Sequence, residues 1–128
     1  MKDNTFNHLT GTFVSAIAIF TSDIVFLSRK DDFVHFSYNF SPQGTTIYAD
    51  DSTVLLRDIT MENNYGYKGG CINIVNSELD IERSLFRRNI GIQGGVIFAI
   101  QRSLFRISDS LLFNNISNDG GVIYAMSC

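Results

Sequence analysis

The sequence predicts an all-β fold, a right-handed parallel β-helix (β-solenoid) of about four to five coils with about 25 residues in each coil. Three patterns predict it: a Gly-Gly pair recurs every 25 or 26 residues, an asparagine precedes each pair by five residues, and apolar residues alternate at period two. A unit of this size, with two or three short strands, cannot enclose its own core, whereas stacked units can. Crossover connections between parallel strands are nearly always right-handed, so we expect a right-handed helix.

The composition is that of one ordered domain. The chain has 128 residues, of which 45% are hydrophobic and 18% are charged. Its net charge is -3 and it contains no block of Lys or Arg, so we expect no nucleic-acid partner. The longest apolar run, Phe13–Phe20, is much shorter than the roughly 20 residues of a membrane-spanning helix, so no membrane insertion of this segment is expected.

A glycine recurs at one position of every unit. The first member of each pair is always glycine, at Gly44, Gly69, Gly94 and Gly120, whereas the second becomes Thr45 in one copy. The first glycine is therefore predicted to occupy a structural turn with positive φ, where a Cβ would be penalised. The alternative is a phosphate-binding loop, but such loops lead into a helix, and these glycines lead into strands.

Four asparagines share a second register, and we predict that they stack into an Asn ladder: Asn39, Asn64, Asn89 and Asn115. In such a ladder each amide bonds the next and satisfies backbone groups of the turn. Asn39 and Asn115 also match the N-glycosylation sequon, but the other two copies do not, which favours the ladder.

The first 35 residues follow the pattern loosely and are predicted to form an irregular N-terminal coil or cap. In this interpretation Gly11 matches Gly44, three extra residues fall near 18–21, and the polar stretch 28–32 forms a protruding loop. Residues 36–128 hold the regular repeats and end part-way through a coil. Further coils, or other protein chains, are therefore expected at the open C-terminal end.

One stripe of residues on the strand after the glycines is a candidate partner surface. Parity places its members outward, where they are more apolar than solvent requires: Tyr48, Phe98, Tyr124, Val96 and Val122. The stripe is either a contact surface or internal packing covered by the 28–32 loop or the N-terminal arm.

No residue is predicted to be catalytic, to bind a cofactor or to hold a metal. The best acidic and basic candidates for a carbohydrate-active site are Asp80, Glu82, Arg83, Arg87 and Arg88. However, the position equivalent to Asp80 in the next coil is Arg106, which predicts a cross-strand ion pair and not a metal cage.

The histidines and cysteines give no catalytic or metal-binding pattern. His8 and His35 share no register with each other and have no cysteine nearby. Cys71 and Cys128 lie about two coils apart, roughly 10 Å along the axis, which is too far for a disulfide.

The repeat resembles that of the polymorphic outer membrane proteins, written GGA[I/L/V] and FxxN. Phe36–Asn39 and Phe86–Asn89 fit FxxN in full, whereas Met61 replaces the aromatic residue in one copy and Cys71 replaces the Ala of GGA in the same copy. The resemblance covers about residues 36–126. It implies an extracellular or cell-surface β-helix with the pectin-lyase-like fold, used for adhesion or as a structural stalk.

Three functions therefore remain open. The first is a non-catalytic structural or adhesive module, with a surface or carbohydrate ligand as a possible partner. The second is a carbohydrate-active enzyme, either a lyase or a hydrolase, and the third is a self-stacking filament subunit.

Overall fold

The chain folds into a parallel β-helix of about four turns with about 26 residues per turn, as the repeats predict. The computed structural model describes residues 4–27 and 34–128, and these residues contain strands and no helix. The first coil contributes β1 (Asn4–Asn7), β2 (Val14–Phe20) and β3 (Asp23–Leu27). The second contributes β4 (Val34–Ser37), β5 (Phe40–Ser41), β6 (Thr45–Asp50) and β7 (Thr53–Arg57).

The remaining coils repeat the four-strand order of the second. The third coil comprises β8 (Ile59–Glu62), β9 (Tyr65–Lys68), β10 (Ile72–Val75) and β11 (Glu78–Glu82). The fourth comprises β12 (Leu85–Arg87), β13 (Ile90–Gln93), β14 (Ile97–Ile100) and β15 (Leu104–Ser108). The last strands are β16 (Leu111–Phe113), β17 (Ile116–Asp119) and β18 (Ile123–Met126).

Equivalent strands of successive coils pair in parallel and form four sheets. Sheet A is β1-β4-β8-β12-β16, sheet B is β5-β9-β13-β17, sheet C is β2-β6-β10-β14-β18, and sheet D is β3-β7-β11-β15. The sequence predicted two or three strands per unit and missed sheet B. Two of its four strands, β9 and β13, contain a glycine, which disfavours strand prediction. Glycine is needed there because a Cβ on Gly66 would lie only 2.3 Å from the carbonyl oxygen of Gly69.

The register follows the repeat in the sequence. Ile72 pairs with Ile47 and Ile97, each 25 residues away. The spacing is still 25 where Val75 pairs with Ile100 and becomes 26 where Glu78 pairs with Leu104. One additional residue therefore lies between Ile100 and Leu104, at the corner where Gln101 and Arg102 both have positive φ.

The alignment predicted for the first coil is wrong. Val14 pairs with Thr45 and Ile17 with Ile47, with a register shift between them, so Gly11 does not match Gly44. Paired residues are 30 apart between β3 and β7 and 25 apart between β4 and β8. The predicted 28–32 loop lies outside the described residues.

Stacked apolar columns fill the interior. The Phe of FxxN belongs to a column in sheet A, in which Phe6 stacks on Phe36 with ring centroids 4.6 Å apart. Met61 and Phe86 continue that column, and both are fully buried. Full burial of each such side chain contributes about 1.5–3 kcal/mol, so the columns are the main source of stability.

The repeated glycines form a tight corner between sheets B and C. Gly69, Gly94 and Gly120 have φ values of 77°, 71° and 78°, the left-handed region that a side chain disfavours. The expectation of positive φ is wrong for Gly44, which is required for a different reason. A Cβ there would lie 1.5 Å from the carbonyl oxygen of Phe13, so only glycine allows this backbone approach.

The four asparagines form a continuous ladder at the corner between sheets A and B. Asn64 Oδ1 accepts hydrogen bonds from both the backbone N–H and the Nδ2 of Asn39, at 3.1 and 3.0 Å. Asn89 bonds Asn64 in the same way, and Asn115 bonds Asn89. The second Nδ2 hydrogen of each amide donates to a carbonyl of the preceding coil, as Asn64 does to Phe36. The amides of Asn64 and Asn89 are therefore fully hydrogen-bonded inside the protein.

Two serine ladders hold the other corners. At the corner between sheets C and D, the Ser77 hydroxyl accepts from the Ser52 N–H at 3.0 Å and donates to the Val75 carbonyl at 2.6 Å. At the corner between sheets D and A, the Ser84 hydroxyl accepts from the Ile59 N–H and donates to the Glu82 carbonyl. Each hydroxyl thus links two coils and closes its own turn.

Candidate functional site

The predicted partner surface is not an exposed stripe. Val96 is fully buried and Phe98 is only 4% exposed, whereas Val122, Tyr48 and Tyr124 are half-buried. The expected exposure of Val96 and Phe98 is therefore wrong. Val96 belongs to the core, whereas Phe98 lies on the outer face of sheet C and is covered there.

The alternation of inward and outward side chains does not hold at Val96, because the strand begins only after this residue. β14 begins at Ile97, so Val96 lies in the bend after the glycines, where consecutive side chains need not alternate. Val96 and Ile97 both reach the core, and so do the equivalent Cys71 and Ile72.

The outer face of sheet C carries a column of larger side chains. Asn73 pairs with Tyr48 on one side and with Phe98 on the other. Phe98 stacks on Tyr124 with centroids 5.1 Å apart, and the Lys68 ammonium lies 5.7 Å from the centre of the Phe98 ring. The column is therefore partly covered by sheet B, through Lys68.

A cleft of about 360 Å³ opens beside this column, towards the first coils. Its walls include Phe13 and Phe20, which are 65% and 59% exposed, together with Tyr48. The Tyr48 hydroxyl donates to Asp50 Oδ2 at 3.3 Å. Burial, followed by the neighbouring Asp50 carboxylate, raises the pKa of Tyr48, so its phenol stays protonated.

Polar groups line the same cleft. Lys68 and Gln43 lie along it, and Asn73 forms part of its floor. Asn73 is only 6% exposed, yet its Oδ1 makes no hydrogen bond. Buried polar atoms are nearly always paired, so this orphaned carbonyl oxygen is unusual, but it is closed to solvent. Asn73 shares the outward register of Tyr48 and Phe98, and its polar side chain left it outside the candidate partner surface predicted from the sequence.

The acidic and basic candidates are engaged in ion pairs between coils. Arg106 Nη1 lies 3.4 Å from Asp80 Oδ2, which confirms the expected cross-strand pair. Arg83 binds Asp58 through Nε and Nη2, both at 2.9 Å, and also contacts Glu82. The paired guanidinium of Arg83 holds the pKa of Asp58 below its ordinary value.

A second charged group lies on sheet A. Glu62 accepts from Arg87 Nε at 2.5 Å and contacts His35 Nε2 at 3.1 Å. Its hydrogen bond with Arg87 lowers the pKa of Glu62, against the opposing effect of burial. Arg88 is exposed and has positive φ at the corner. These candidates are therefore spread over two faces and do not converge on one cleft.

The remaining candidates lie apart. The His8 ring stacks on Tyr38 with centroids 5.1 Å apart, away from His35. Within residues 4–27 and 34–128, no three or more His, Cys, Asp or Glu side chains gather as metal ligands would. Cys71 and Cys128 are both free thiols, and burial raises the pKa of Cys71 well above its ordinary value.

The structure bears on one glycosylation sequon. Asn39 is 1% exposed, and its amide is held by Asn64 and by the Phe6 carbonyl. In the folded protein this amide is therefore inaccessible to a modifying enzyme.

No protein-family model, curated protein or solved structure matches the chain. No helix long and apolar enough to cross a bilayer occurs in the described part of the chain.

Proposed function

We propose that the chain is a non-catalytic structural and adhesive β-helix module of a secreted or cell-surface protein. The observation that carries this proposal is the ladder of Asn39, Asn64, Asn89 and Asn115, which repeats one set of hydrogen bonds from coil to coil. A column of satisfied, buried amides makes a rigid rod whose outer side chains are free to vary. That is the property needed in a stalk or adhesive module.

The surface location rests on the resemblance to the polymorphic outer membrane proteins. In this chain the residues that carry the resemblance are structural. Phe36 and Phe86 fill the core, and Asn39 and Asn89 form the ladder. The motif therefore specifies the rod, and variation outside it is available for ligands.

A carbohydrate-active enzyme is the second candidate. Its support is the set of acidic and basic side chains on sheets A and D. Against it, Asp80, Glu82 and Glu62 each contact an arginine, mostly across coils, and these pairs stabilise neighbouring coils.

A self-stacking filament subunit is the third candidate. The edge strands at one end are β15 to β18 and those at the other are β1, β2, β3 and β5. Parallel edges of this kind can pair head to tail, which produces open filaments. Light scattering that shows particle size rising with protein concentration would favour this candidate over the adhesive module.

The adhesive role is tested with protein-coated beads on cell layers and on polysaccharide-coated surfaces. We expect beads carrying the wild type to adhere and beads carrying the Asn64→Ala/Asn89→Ala double variant, in which the ladder is broken, to detach. Asn118→Ala, at an exposed position, is the matched control. Absence of adhesion to every surface, or release of cleaved polysaccharide, would contradict the proposal.

A further inference from the structure

We propose that the cleft beside Asn73 binds an acidic sugar unit of a glycan. This inference rests on the adhesive function proposed above, because it names the ligand class through which the module would adhere.

Aromatic side chains provide the walls. Phe13 and Phe20 are strongly exposed, and Phe20 packs against Tyr48 at a tilt of 51°. Exposed rings of this kind present a negative π face, which attracts the partly positive C–H groups on the apolar face of a sugar ring. The cleft volume of about 360 Å³ lies within the range of small-ligand sites, about 300–1,000 Å³.

An amide group provides the polar part of the site. Gln43 is exposed and lines the cleft, whereas the Asn73 Oδ1 atom is closed to solvent and lies out of a ligand's reach. An amide both donates and accepts, and so does a sugar hydroxyl. A purely apolar ligand would leave the Gln43 amide without a partner, whereas a hydroxyl-bearing ring would pair with it. This favours a sugar over an aliphatic ligand.

Lys68 supplies the charge preference. It is the one cation among the residues that line the cleft, and its ammonium forms no ion pair with a carboxylate of a described residue. Its position near the Phe98 ring keeps it at the edge of the cleft. A sugar carboxylate at this edge would be held by a charge-assisted hydrogen bond.

A neighbouring depression suggests that the site accepts more than one sugar unit. It has a volume of about 290 Å³ and shares Phe13, Gln43 and Lys68 with the first cleft. Tyr67, which is 42% exposed, and Pro42 complete its lining. Two depressions that share an aromatic ring and a cation suit consecutive units of an acidic polysaccharide.

The test is calorimetric titration of the full chain with a uronic-acid trisaccharide and with the neutral trisaccharide of the same linkage. We expect binding of the acidic sugar and weaker binding of the neutral one. Phe13→Ala should reduce affinity about tenfold through loss of stacking. Lys68→Met, which keeps the aliphatic stem, should abolish the preference for the acidic sugar and its dependence on salt.

Gln43→Leu separates binding from stability. Gln43 is exposed, so we expect the melting temperature to be unchanged while sugar affinity falls about tenfold through loss of the amide's hydrogen bonds. Phe113→Ala, an exposed aromatic in sheet A, is the control and should bind like the wild type.

Three outcomes would overturn the inference: equal binding of the neutral and acidic sugars, wild-type affinity in Gln43→Leu, or binding of an acidic peptide in place of the sugar. The bead assay remains a separate readout. If beads carrying Phe13→Ala still adhere, the cleft is not the adhesive site, and the adhesive function still stands. If the protein binds the sugar but its beads do not adhere, the cleft is a sugar site, and the adhesive function is contradicted.

Discussion

At the scale of single residues, corner side chains replace the backbone partners that a bend removes. Asn89 donates its two Nδ2 hydrogens to Asn115 and to the Met61 carbonyl. It also accepts twice from Asn64 through Oδ1. No aliphatic side chain could fill this position without orphaning those groups.

Asn89→Ala is therefore expected to destabilise the protein by about 1–3 kcal/mol, because buried donors and acceptors lose their partners. Urea denaturation followed by circular dichroism would measure the free energy of unfolding. Asn118→Ala, at an exposed position, should change it by less than about 0.5 kcal/mol. Equal stability of the two variants would contradict the role given to the ladder.

Gly94 and Gly121 distinguish two reasons for a glycine, a positive φ and the close approach of another backbone segment. Gly94 has a φ of 71°, and a Cβ there would lie 2.0 Å from the Ile97 carbonyl oxygen. Gly121 has a φ of 59° but no heavy atom within 4 Å of the same position. We expect Gly121→Ala to cost about 1–2 kcal/mol, the conformational penalty alone. Gly94→Ala should cost clearly more, and thermal melts of both variants would show whether that order holds.

At the scale of elements, charged side chains connect equivalent strands. In sheet A, Glu62 lies between His35 and Arg87, and in sheet D, Glu82 pairs with Arg57 at 2.7 Å. These cross-strand contacts are partly exposed, so each adds little by itself. Their main effect is to favour the correct register of one coil on the next.

The lowered pKa of Glu62 predicts a pH dependence. A carboxyl whose folded pKa lies below its unfolded value contributes stability above the unfolded pKa and loses it as pH falls through the folded pKa. The wild type should therefore lose more stability than Glu62→Gln between about pH 6 and about pH 3. Urea midpoints at both pH values would measure this, and parallel losses in the two proteins would contradict it.

The sequence repeats predict the strands well, but they predict the bends between strands poorly. Residues that alternate within a strand, such as Ile72 and Ile74, lie in the core as expected. Cys71 and Val96 do not follow the alternation because they precede their strands. Positive φ at Tyr38 and Arg88 gave no signal either, since neither residue favours that region. Asn63 and Asn114 occupy the same position in other coils, and asparagine is a residue that favours positive φ.

The candidate cleft was harder to predict than the fold. Its walls come from Phe13 and Phe20 in the first coil, where the alignment of the repeats was wrong. Tyr48 was the one member of the predicted stripe that reached the cleft. A site between an irregular coil and regular ones depends on local geometry, and the repeat pattern carries no information about that geometry.

At the scale of the whole molecule, each coil contacts only its neighbours, so stability is a sum of coil and interface contributions. Middle coils are covered on two sides, and in them Phe36, Met61 and Phe86 are fully buried. In the last strands the equivalent residue, Leu112, is only half-buried. Opening is therefore expected to begin at the ends and to reach the middle coils last.

The two thiols report on this gradient. Cys71 is buried, and its raised pKa keeps it protonated, whereas Cys128 is exposed. Iodoacetamide should modify Cys128 at once and Cys71 only after the central coils open. Mass spectrometry at increasing urea would follow both sites, with Cys128→Ser as the control. Rapid labelling of Cys71 in native buffer would contradict this order.

The stacking of like on like also has an evolutionary consequence. Since Ile72 meets Ile47 below and Ile97 above, a tandem duplication of one 25-residue unit would stack each side chain on a copy of itself and keep isoleucine on isoleucine in the interior. Such a gene would encode a rod longer by about 4.8 Å with the same kind of interior. Duplications that are not whole units would put polar corner residues among the isoleucines, so growth by duplication is restricted to whole units.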